Sequence, residues 1–405
     1  MNVPKLRFKE FDGEWEEHSL SDIAEFSKGK GISKDSLSTD GKPCILYGEL
    51  YTKYKEVASS IYSRTNIENH DLVKSRKFDV LIPSSGETAK DIACSTCVIQ
   101  EDVLIGGDLN ILRFVKEIDG RFISYQINGI KKLELSKYAQ GTTVVHLYSQ
   151  GIKKLYLKIP TIEEQKKISE LLLLLDKKIQ LQQQKIDLLQ EQKKGFLQKM
   201  FPKAGETQPE MRFDGFAGEW KECKLGEVSN IIGGGTPSTS IEEYWKGNIN
   251  WYSPVEIGEE IYVYESRKKI TETGLKKSSA RILPIGTVLF TSRAGIGNTA
   301  ILAREGCTNQ GFQSIVPLKD KLDSYFIFSR TEELKRYAEI NGAGSTFVEI
   351  SGKQMSKMPI LLPDLKEQKR IGLFFKRLDD EIILQKRKLN LIQQQKQGFM
   401  QQMFI

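Results

Sequence analysis

The residue types that carry out covalent chemistry in proteins are few in this chain and are not grouped. The three histidines, His18, His70 and His146, lie in unrelated sequence contexts. Cys94 and Cys97 form a lone C-x-x-C without the second pair of a zinc finger, so we interpret them as part of a buried strand. The sequence therefore predicts no metal site and no histidine-based catalytic triad.

Motifs for handling nucleotides and cofactors are also missing from the sequence. No Gly-Lys pair is followed by the Ser or Thr of a phosphate-binding loop, and no glycine fingerprint for a nucleotide cofactor is present. The Asp/Asn-Pro-Pro-Tyr/Phe tetrapeptide that amino-methyltransferases use to hold their target nitrogen is absent as well. We therefore predict that this chain performs no covalent chemistry and carries no cofactor.

Loops that could bind a ligand are more numerous than catalytic motifs. They are small and polar, so their backbone amides suit phosphate groups, while their Lys, Arg, Asn and Gln side chains suit the edges of bases. The candidate DNA-binding residues of the first half are Lys28, Lys30, Ser33, Lys34, Ser84, Ser85, Lys90, Asn110, Thr142 and Thr143. Those of the second half are Thr236, Ser238, Tyr252, Arg293, Asn298, Asn309, Gln310, Gln313, Ser345 and Thr346.

Composition is compatible with a nucleic-acid partner but does not require one. The 405-residue chain has a formal net charge of +7 and a pI near 8.9, which also fits a soluble surface with a lysine bias. Its cysteines are odd in number and scattered, so no disulfide framework is expected. The sequence shows no membrane span and no secretory signal, and we predict a cytoplasmic protein.

The elements that would position these loops are short strands and a few helices. Between residues 15–158 and 220–361, short apolar runs alternate with Gly, Pro, Asn and Ser, which predicts mixed α/β domains. The strands expected most clearly are 79–83, 110–114, 287–290 and 314–317, and helical periodicity appears in 125–138 and 324–340.

Two much longer helices are predicted at 163–200 and in the corresponding stretch near the end of the chain. Their apolar residues recur at alternating intervals of four and three, as in a coiled-coil seam. The seam positions are Ile168, Leu172, Leu175, Ile179, Gln182, Ile186, Leu189 and Phe196, and then Ile371, Phe375, Leu378, Ile382, Gln385, Leu389, Ile392 and Phe399. We predict that the helices pack on each other, with Gln182 and Gln385 fixing their register. The alternative is that each helix packs only on its own domain.

The sequence also contains a long internal repeat. The Phe-x-Gly-Glu-Trp segment ending at Trp15 returns 205 residues later and ends at Trp220. The Glu-Gln-Lys-x-Ile start of the first long helix and its Gly-Phe-x-Gln-x-Met-Phe end both return 203 residues later. Between these repeated segments the two copies differ greatly, as expected for one module used on two targets.

This order of motifs resembles the specificity subunit of type I restriction-modification enzymes. The resemblance covers the whole chain and rests on the Gly-Glu-Trp segments, the Gly-x-Thr-Pro-Ser run at 234–238, the Gly-Ser/Thr-Thr turn before each long helix, and the repeated helix start and end. The first copy departs from the pattern, because residues 28–33 replace the Thr-Pro-Ser turn, and Asp108-Leu109-Asn110 stands where the second copy has Asn309-Gln310.

The resemblance implies a mixed α+β protein with two target recognition domains joined by an antiparallel coiled coil. The implied parts are target recognition domain 1 at 1–158, a helix at 159–202, a linker at 203–208, target recognition domain 2 at 209–361 and a helix at 362–405. Each domain would read one half of a bipartite DNA site, and the coiled coil would set the spacer. Two methyltransferase subunits, and restriction subunits, would be the partners, and S-adenosylmethionine, ATP and Mg would belong to them.

Two other classes of function remain open at the level of the residues. A self-sufficient methyltransferase or nuclease conflicts with the missing catalytic motifs. A coiled-coil scaffold that binds only proteins would show no preference for any DNA sequence.

Overall fold

The computed structural model describes residues 2–68, 71–115, 117–293, 295–343 and 348–405. The chain divides into two compact units. The first unit comprises Met1–Gln184 with Lys386–Ile405, and the second comprises Lys185–Gln385. Each unit therefore contains one globular domain together with a part of both long helices.

The first unit is built on a five-stranded sheet. Its strands, in spatial order, are Ala24–Lys28, Leu109–Phe114, Asp79–Pro83, Thr96–Val98 and Val57–Ala58. Neighbouring strands are antiparallel except for the last pair. A second sheet has the order Leu104–Ile105, Lys42–Ile45, Ser63–Thr65 and Leu37–Ser38, and two ribbons pair Glu16–Ser19 with Tyr156–Ile159 and Ser85–Gly86 with Val145–His146.

The second unit repeats this architecture. Its five-stranded sheet has the order Ser229–Gly233, Gln313–Pro317, Val288–Phe290, Thr299–Leu302 and Tyr262–Val263, with the same pattern of antiparallel and parallel pairs. A three-stranded sheet contains Lys268–Ile270, Trp245–Tyr252 and Gly306–Thr308, and a ribbon pairs Lys221–Lys224 with Pro359–Leu362. The mixed α/β class is confirmed, and each of the four strands expected most clearly is present with its bounds shifted by at most one residue.

Short helices connect the strands, and two long helices follow the domains. The α-helices of the first copy are Leu20–Ile23, Glu49–Thr52, Ala89–Ile92, Gly120–Gln126, Lys132–Ser136 and Ser149–Ile152, with a π-helical turn at Ile127–Lys131. Those of the second copy are Leu225–Val228, Glu272–Lys276, Ser324–Ser329, Thr331–Asn341 and Gly352–Ser356. Single 3₁₀ turns lie at Lys34–Ser36, Glu242–Tyr244 and Pro254–Glu256, and the long helices are Ile162–Met200 and Leu365–Gln402.

The shorter helical predictions are confirmed with shifted ends. The helix expected at 125–138 begins earlier, at Gly120, because the Asp119 side chain caps it by accepting a hydrogen bond from the Arg121 amide. The helix expected at 324–340 is divided at Arg330, whose backbone leaves the helical region with ψ near 20°.

The long helices form an antiparallel coiled coil, as predicted. All positions of the predicted seam are buried or half-buried. In the first unit, Lys396 Nζ near the end of the second helix lies 2.6 Å from Asp176 Oδ1 of the first helix. In the second unit, Lys193 Nζ lies 2.6 Å from Asp379 Oδ1. The alternative, in which each helix packs only on its own domain, is therefore wrong.

The repeated sequence motifs join each domain to the start of its own long helix. Arg7 donates through Nε and Nη2 to both carboxylate oxygens of Glu164, at 2.8 and 2.7 Å. Arg212 makes the same pair of bonds to Glu367, at 2.7 and 2.6 Å. These bidentate bonds explain why an arginine and a Glu-Gln-Lys segment recur together in the two copies.

The glycine of the repeated Gly-Glu-Trp segment completes this joint. Gly13 has φ +78° and Gly218 has φ +85°, in the left-handed region that favours glycine. Their carbonyl oxygens accept hydrogen bonds from Arg7 Nη1 at 2.6 Å and from Arg212 Nη1 at 2.5 Å.

Each unit also buries the end of the other copy's long helix. Phe404 packs on Phe122, with ring centroids 5.1 Å apart, in the core that contains Trp15. The corresponding core of the second unit surrounds Trp220, and there Phe201 packs on Phe326 at 5.4 Å. The Met-Phe end of each helix is therefore an apolar anchor, which explains its repetition.

Candidate nucleic-acid interface

Most of the candidate residues lie at one edge of each five-stranded sheet. In the first unit, the strands Ala24–Lys28 and Asp79–Pro83 flank Leu109–Phe114 and are both antiparallel to it, so they end where that strand begins. Short backbone bonds close this edge, from Gly29 N to Leu109 O at 3.0 Å and from Ser84 N to Asp108 O at 2.8 Å. We call the loops there, 28–34, 84–90, 106–110 and 141–147, the first loop edge.

The second unit has an equivalent edge. Gly233, at the end of its strand, pairs with Gln313, at the start of the next strand. Ser292 N donates to Gly311 O at 2.8 Å, and Ile350 N donates to Ser292 O at 3.1 Å. We call the described residues of the segments 233–240, 291–298, 309–313 and 341–351 the second loop edge.

The opposite edge of each sheet is occupied by the long helix. Asp119 N donates to Gln165 Oε1 at 3.0 Å in the first unit. Asp323 N donates to Gln368 Oε1 at 3.1 Å in the second. The loops therefore lie away from the residues that fix each domain to the helical frame.

The candidates of the first loop edge divide by exposure. The exposed residues are Lys28, Lys30, Ser33, Lys34, Lys90, Thr142 and Thr143, and Ser85 is half-buried. Ser84 and Asn110 are buried, and Asn110 has no exposed surface. Its Nδ2 donates to Leu147 O at 3.0 Å and lies 3.4 Å from Ile82 O. Asn110 thus links neighbouring segments beneath the surface that the lysines present.

The candidates of the second loop edge are mostly half-buried or exposed. Thr236 donates to the Gln310 side chain, and Asn309 Oδ1 accepts a hydrogen bond from Gly311 N at 2.8 Å. Ser238, Asn298 and Gln310 are exposed, whereas Arg293, Asn309 and Gln313 are half-buried. Tyr252 is buried beneath the edge, with its pKa raised to about 12 by burial and by nearby glutamates. Ser345 and Thr346 lie outside the described residues.

A glycine at the same place in each copy allows the loops to approach closely. A Cβ on Gly29 would collide with the carbonyl oxygen of Gly106. A Cβ on Gly234 would collide with the carbonyl oxygen of Asn309. The two copies therefore share a backbone frame at the loop edge even though their sequences there differ.

The structure adds several residues to this site that the sequence did not indicate. A cavity of about 660 Å³ opens beside the first loop edge, where Tyr51, Glu87 and Asp91 join the predicted Ser85 and Thr143 in the lining. His146 lies opposite Ser85 in the ribbon, and Glu349 lies near Arg293. His146 and Glu349 are separated by the repeat distance of 203, and this spacing is the feature of the sequence that could have indicated them.

Burial raises the pKa values of all five cysteine thiols. Burial raises the pKa of the Cys94 thiol to about 11 and that of Cys44 to about 11, so both remain protonated near neutral pH. Cys97 is buried in the strand Thr96–Val98, and Cys94 lies just before that strand. Among the residues that the structure describes, no group of three or more His, Cys, Asp or Glu side chains is arranged to hold a metal ion.

The fold defines a duplicated protein in which one repeated frame carries two polar loop edges of different sequence. Comparison with known proteins then places the chain in a family. Residues 12–191 and 217–394 each match the family described as type I restriction modification DNA specificity domain. The chain belongs to this family, and it is a type I restriction-modification specificity subunit rather than an enzyme.

Individual relatives carry the same description. The chain is 40% identical over 179 residues, 43% of its length, to the type I restriction enzyme MjaIX specificity subunit of Methanocaldococcus jannaschii, of which the match spans only 41%. It is 25% identical over 411 residues to the putative type I restriction enzyme MjaX specificity subunit of the same organism, covering 98% of this chain and 95% of the relative.

A solved structure supports the fold along the whole chain. The S subunit of a type I restriction-modification system from M. genitalium superposes with a TM-score of 0.64 and 15% identity, covering 100% of this chain and 99% of the other. Among the described helices, none is long and apolar enough to cross a membrane.

Proposed function

We propose that the two loop edges read the two halves of a bipartite double-stranded DNA site. The observation that carries this proposal is the contrast between frame and loops. The same strand order, the same Arg-Glu joint and the same glycine contact recur in both units, while the side chains at the loop edges differ. One frame with two sets of polar loops is suited to reading two different sequences.

The polar groups at the loop edges suit DNA chemically. Lys28, Lys30 and Lys34 are exposed at the first loop edge and can neutralise phosphates, which fixes the position of the protein on the duplex. The amide and guanidinium groups of the second loop edge suit the donors and acceptors that bases present in the major groove.

The coiled coil, in this proposal, sets the number of unread base pairs between the half-sites. Helices of 39 and 38 residues with paired seams make a stiff element. A stiff separator between two reading domains converts helix length into half-site spacing.

The outer surface of the same helices supports docking of the two methyltransferase subunits. Leu174, Leu181 and Leu188 recur every seven residues on the first long helix, outside the seam, and all are exposed. Leu384 and Leu391 repeat this pattern on the second. Leucine at a regular outward position is unusual for a helix that faces only water, because such positions are normally polar. The partners would methylate adenine at N6 using S-adenosylmethionine. Restriction subunits, with ATP and Mg, would cleave DNA. The assembly would act in the cytoplasm.

A methylome tests the proposal directly. The chain is co-expressed with its neighbouring methyltransferase subunit in a methylation-free host, and N6-methyladenine is mapped by single-molecule sequencing. A single split motif with a fixed spacer is the expected result. A soluble complex with an active methyltransferase that leaves no methylation would favour the scaffold function instead.

Two variants separate the parts of the proposal. Replacing residues 1–158 with those of a relative should change one half of the motif and leave the other half intact, and a change in both halves would contradict modular reading. Inserting one heptad into each long helix should preserve the seam and lengthen the spacer. An unchanged spacer would show that the coiled coil does not set it.

Methyl transfer by the purified chain alone would instead support the alternative that the chain is a self-sufficient methyltransferase. The absence of catalytic motifs from the sequence gives no support to that alternative.

A further inference from the structure

Two polar pairs occupy the same place at the two loop edges. Ser85 lies directly opposite His146 in the first unit, with Ser85 Oγ 3.3 Å from His146 Nδ1. In the second unit, Arg293 Nη1 lies 4.0 Å from Glu349 Oε2. The pairs therefore combine the same two segments in each copy, but with different chemistry.

The backbone shows that the positions are equivalent. His146 forms an antiparallel bridge with Gln140, and Glu349 forms the same bridge with Ala343, so both members of each bridge differ by the repeat distance of 203.

Ser84 and Ser292, which precede Ser85 and Arg293, occupy equivalent positions as well. Leu147 N donates to Ser84 O at 3.1 Å, and Ile350 N donates to Ser292 O at 3.1 Å. Ser85 and Arg293 follow these serines directly, so they also hold corresponding places.

Stability does not account for the charged pair. The side chains of Arg293 and Glu349 are 37% and 48% exposed, and their closest approach is 4.0 Å. An ion pair with this exposure and distance contributes little to folding. Each side chain can therefore leave its partner and contact a ligand instead, at a small cost in folding free energy.

Charge at the second loop edge is concentrated in this pair. In the sequence of its four loops, Arg293 is the only Lys or Arg, and Glu349 is the only Asp or Glu. Their surroundings are neutral hydroxyl and amide groups, such as Thr236, Asn309 and Gln310. Phosphate contacts alone would not require a carboxylate, because it repels phosphate. An adjacent guanidinium and carboxylate instead match the two bases of one G·C pair.

We propose that Arg293 and Glu349 are specificity-determining residues that read one G·C base pair in the major groove. Arg293 donates to O6 and N7 of guanine, and Glu349 accepts from the N4 amino group of cytosine. Ser85 and His146 hold the corresponding place in the first unit and read a different base pair. This inference rests on the proposed function, since it assumes that the second loop edge faces DNA.

The test uses the full chain with its methyltransferase partner and compares Arg293→Gln, Glu349→Gln and the control Arg304→Gln. Arg304 is also exposed and paired with a glutamate, Glu265, at 3.2 Å. It follows the strand Thr299–Leu302, which begins at the loop edge and ends at the other side of the sheet. Methylomes are mapped for all variants, and binding is measured against duplexes carrying each of the four base pairs at every position of the half-site.

The expected result is local. Arg293→Gln and Glu349→Gln lower discrimination at one G·C position of one half-site by roughly 10- to 100-fold, and Arg304→Gln leaves the motif unchanged. If either variant abolishes methylation, the four-duplex binding assay decides whether the loss is confined to that position. An unchanged preference at every position in both variants would overturn the inference while leaving the proposed function intact. A wild-type complex without any split motif would instead count against the proposed function.

Discussion

A buried lysine in the first unit holds the end of the second long helix against the start of the first. Lys396 Nζ lies 2.6 Å from Asp176 Oδ1 and 2.8 Å from Glu56 Oε2. Tyr125 donates to the other carboxylate oxygen of Asp176 at 2.6 Å. The side chains of Lys396, Glu56 and Asp176 are 10%, 14% and 18% exposed. Lys396→Met keeps most of the side-chain volume but leaves two largely buried carboxylates without their cation.

The expected cost follows from that burial. Breaking a buried ion pair by removing one partner costs about 3–5 kcal/mol, and the residual exposure of this network favours the lower end. A loss of about 3 kcal/mol corresponds to an increase of roughly 100-fold in the population of opened molecules. The second unit offers a matched variant, because among the described residues Lys193 forms an ion pair with one carboxylate, that of Asp379, and its side chain is 25% exposed. We expect Lys193→Met to cost about 1–2 kcal/mol.

Hydrogen exchange followed by mass spectrometry resolves the two units in the full chain. Lys396→Met should accelerate exchange in the helix that carries Tyr125 and leave the helix Ser324–Ser329 unchanged, whereas Lys193→Met should do the reverse. A triple variant with Glu56→Gln and Asp176→Asn added to Lys396→Met removes the uncompensated charge and should recover most of the loss. Equal exchange in Lys396→Met and wild type, or no recovery in the triple variant, would refute the buried-charge reasoning.

Three further predictions concern pH, salt and backbone space. Burial lowers the pKa of Lys396, but Glu56 and Asp176 together raise it above the ordinary 10.5. The contribution of Lys396 to the free energy of unfolding should therefore be complete below pH 10.5 and be lost as pH rises through its folded-state pKa. Denaturant unfolding measured from pH 8 to above pH 10.5 should show this loss. Lys30→Gln should reduce the slope of log binding constant against log salt by about 0.9 in DNA titrations. The control is Lys319→Gln, because Lys319 is exposed and follows the strand Gln313–Pro317 at the end away from the second loop edge. Gly29→Ala should destabilise the first unit by about 1–3 kcal/mol in denaturant unfolding, because its Cβ meets a backbone carbonyl, whereas Gly107→Ala, with no atom within 4 Å of the added Cβ, should be nearly neutral.

The elements that could be predicted are those in which side-chain periodicity decides the structure. The runs at 79–83 and 314–317 became strands because they are continuous apolar stretches bounded by turn residues. The 4-3 spacing placed Ile168 and Ile371 in the seam correctly. Lys193 and Lys396 also fall at the 4-3 spacing, between Leu189 and Phe196 and between Ile392 and Phe399, although a charge does not suit an apolar seam. The structure shows that each pairs with an aspartate of the opposite helix.

The loop edges could be predicted only as regions. Asn110 has a side chain well suited to reading a base, but the fold buries it between Ile82 and Leu147. The pairing of Ser85 with His146 joins residues 61 positions apart, and no local pattern reveals such a partner. Which small polar residue faces outward depends on loop geometry, which residue type alone does not determine.

The distribution of repeated and divergent residues has a physical reason. Residues that must match, such as Arg7 with Glu164 and Arg212 with Glu367, lie where a domain meets the helices, and changing one of them leaves a buried charge unpaired. Ser85 and Arg293 lie at the other edge of the sheet, where a change leaves the core and the helical frame untouched. New loop residues can therefore change the groups that a loop edge presents without changing how its domain is joined to the helices, as the proposed reading of two different half-sites requires.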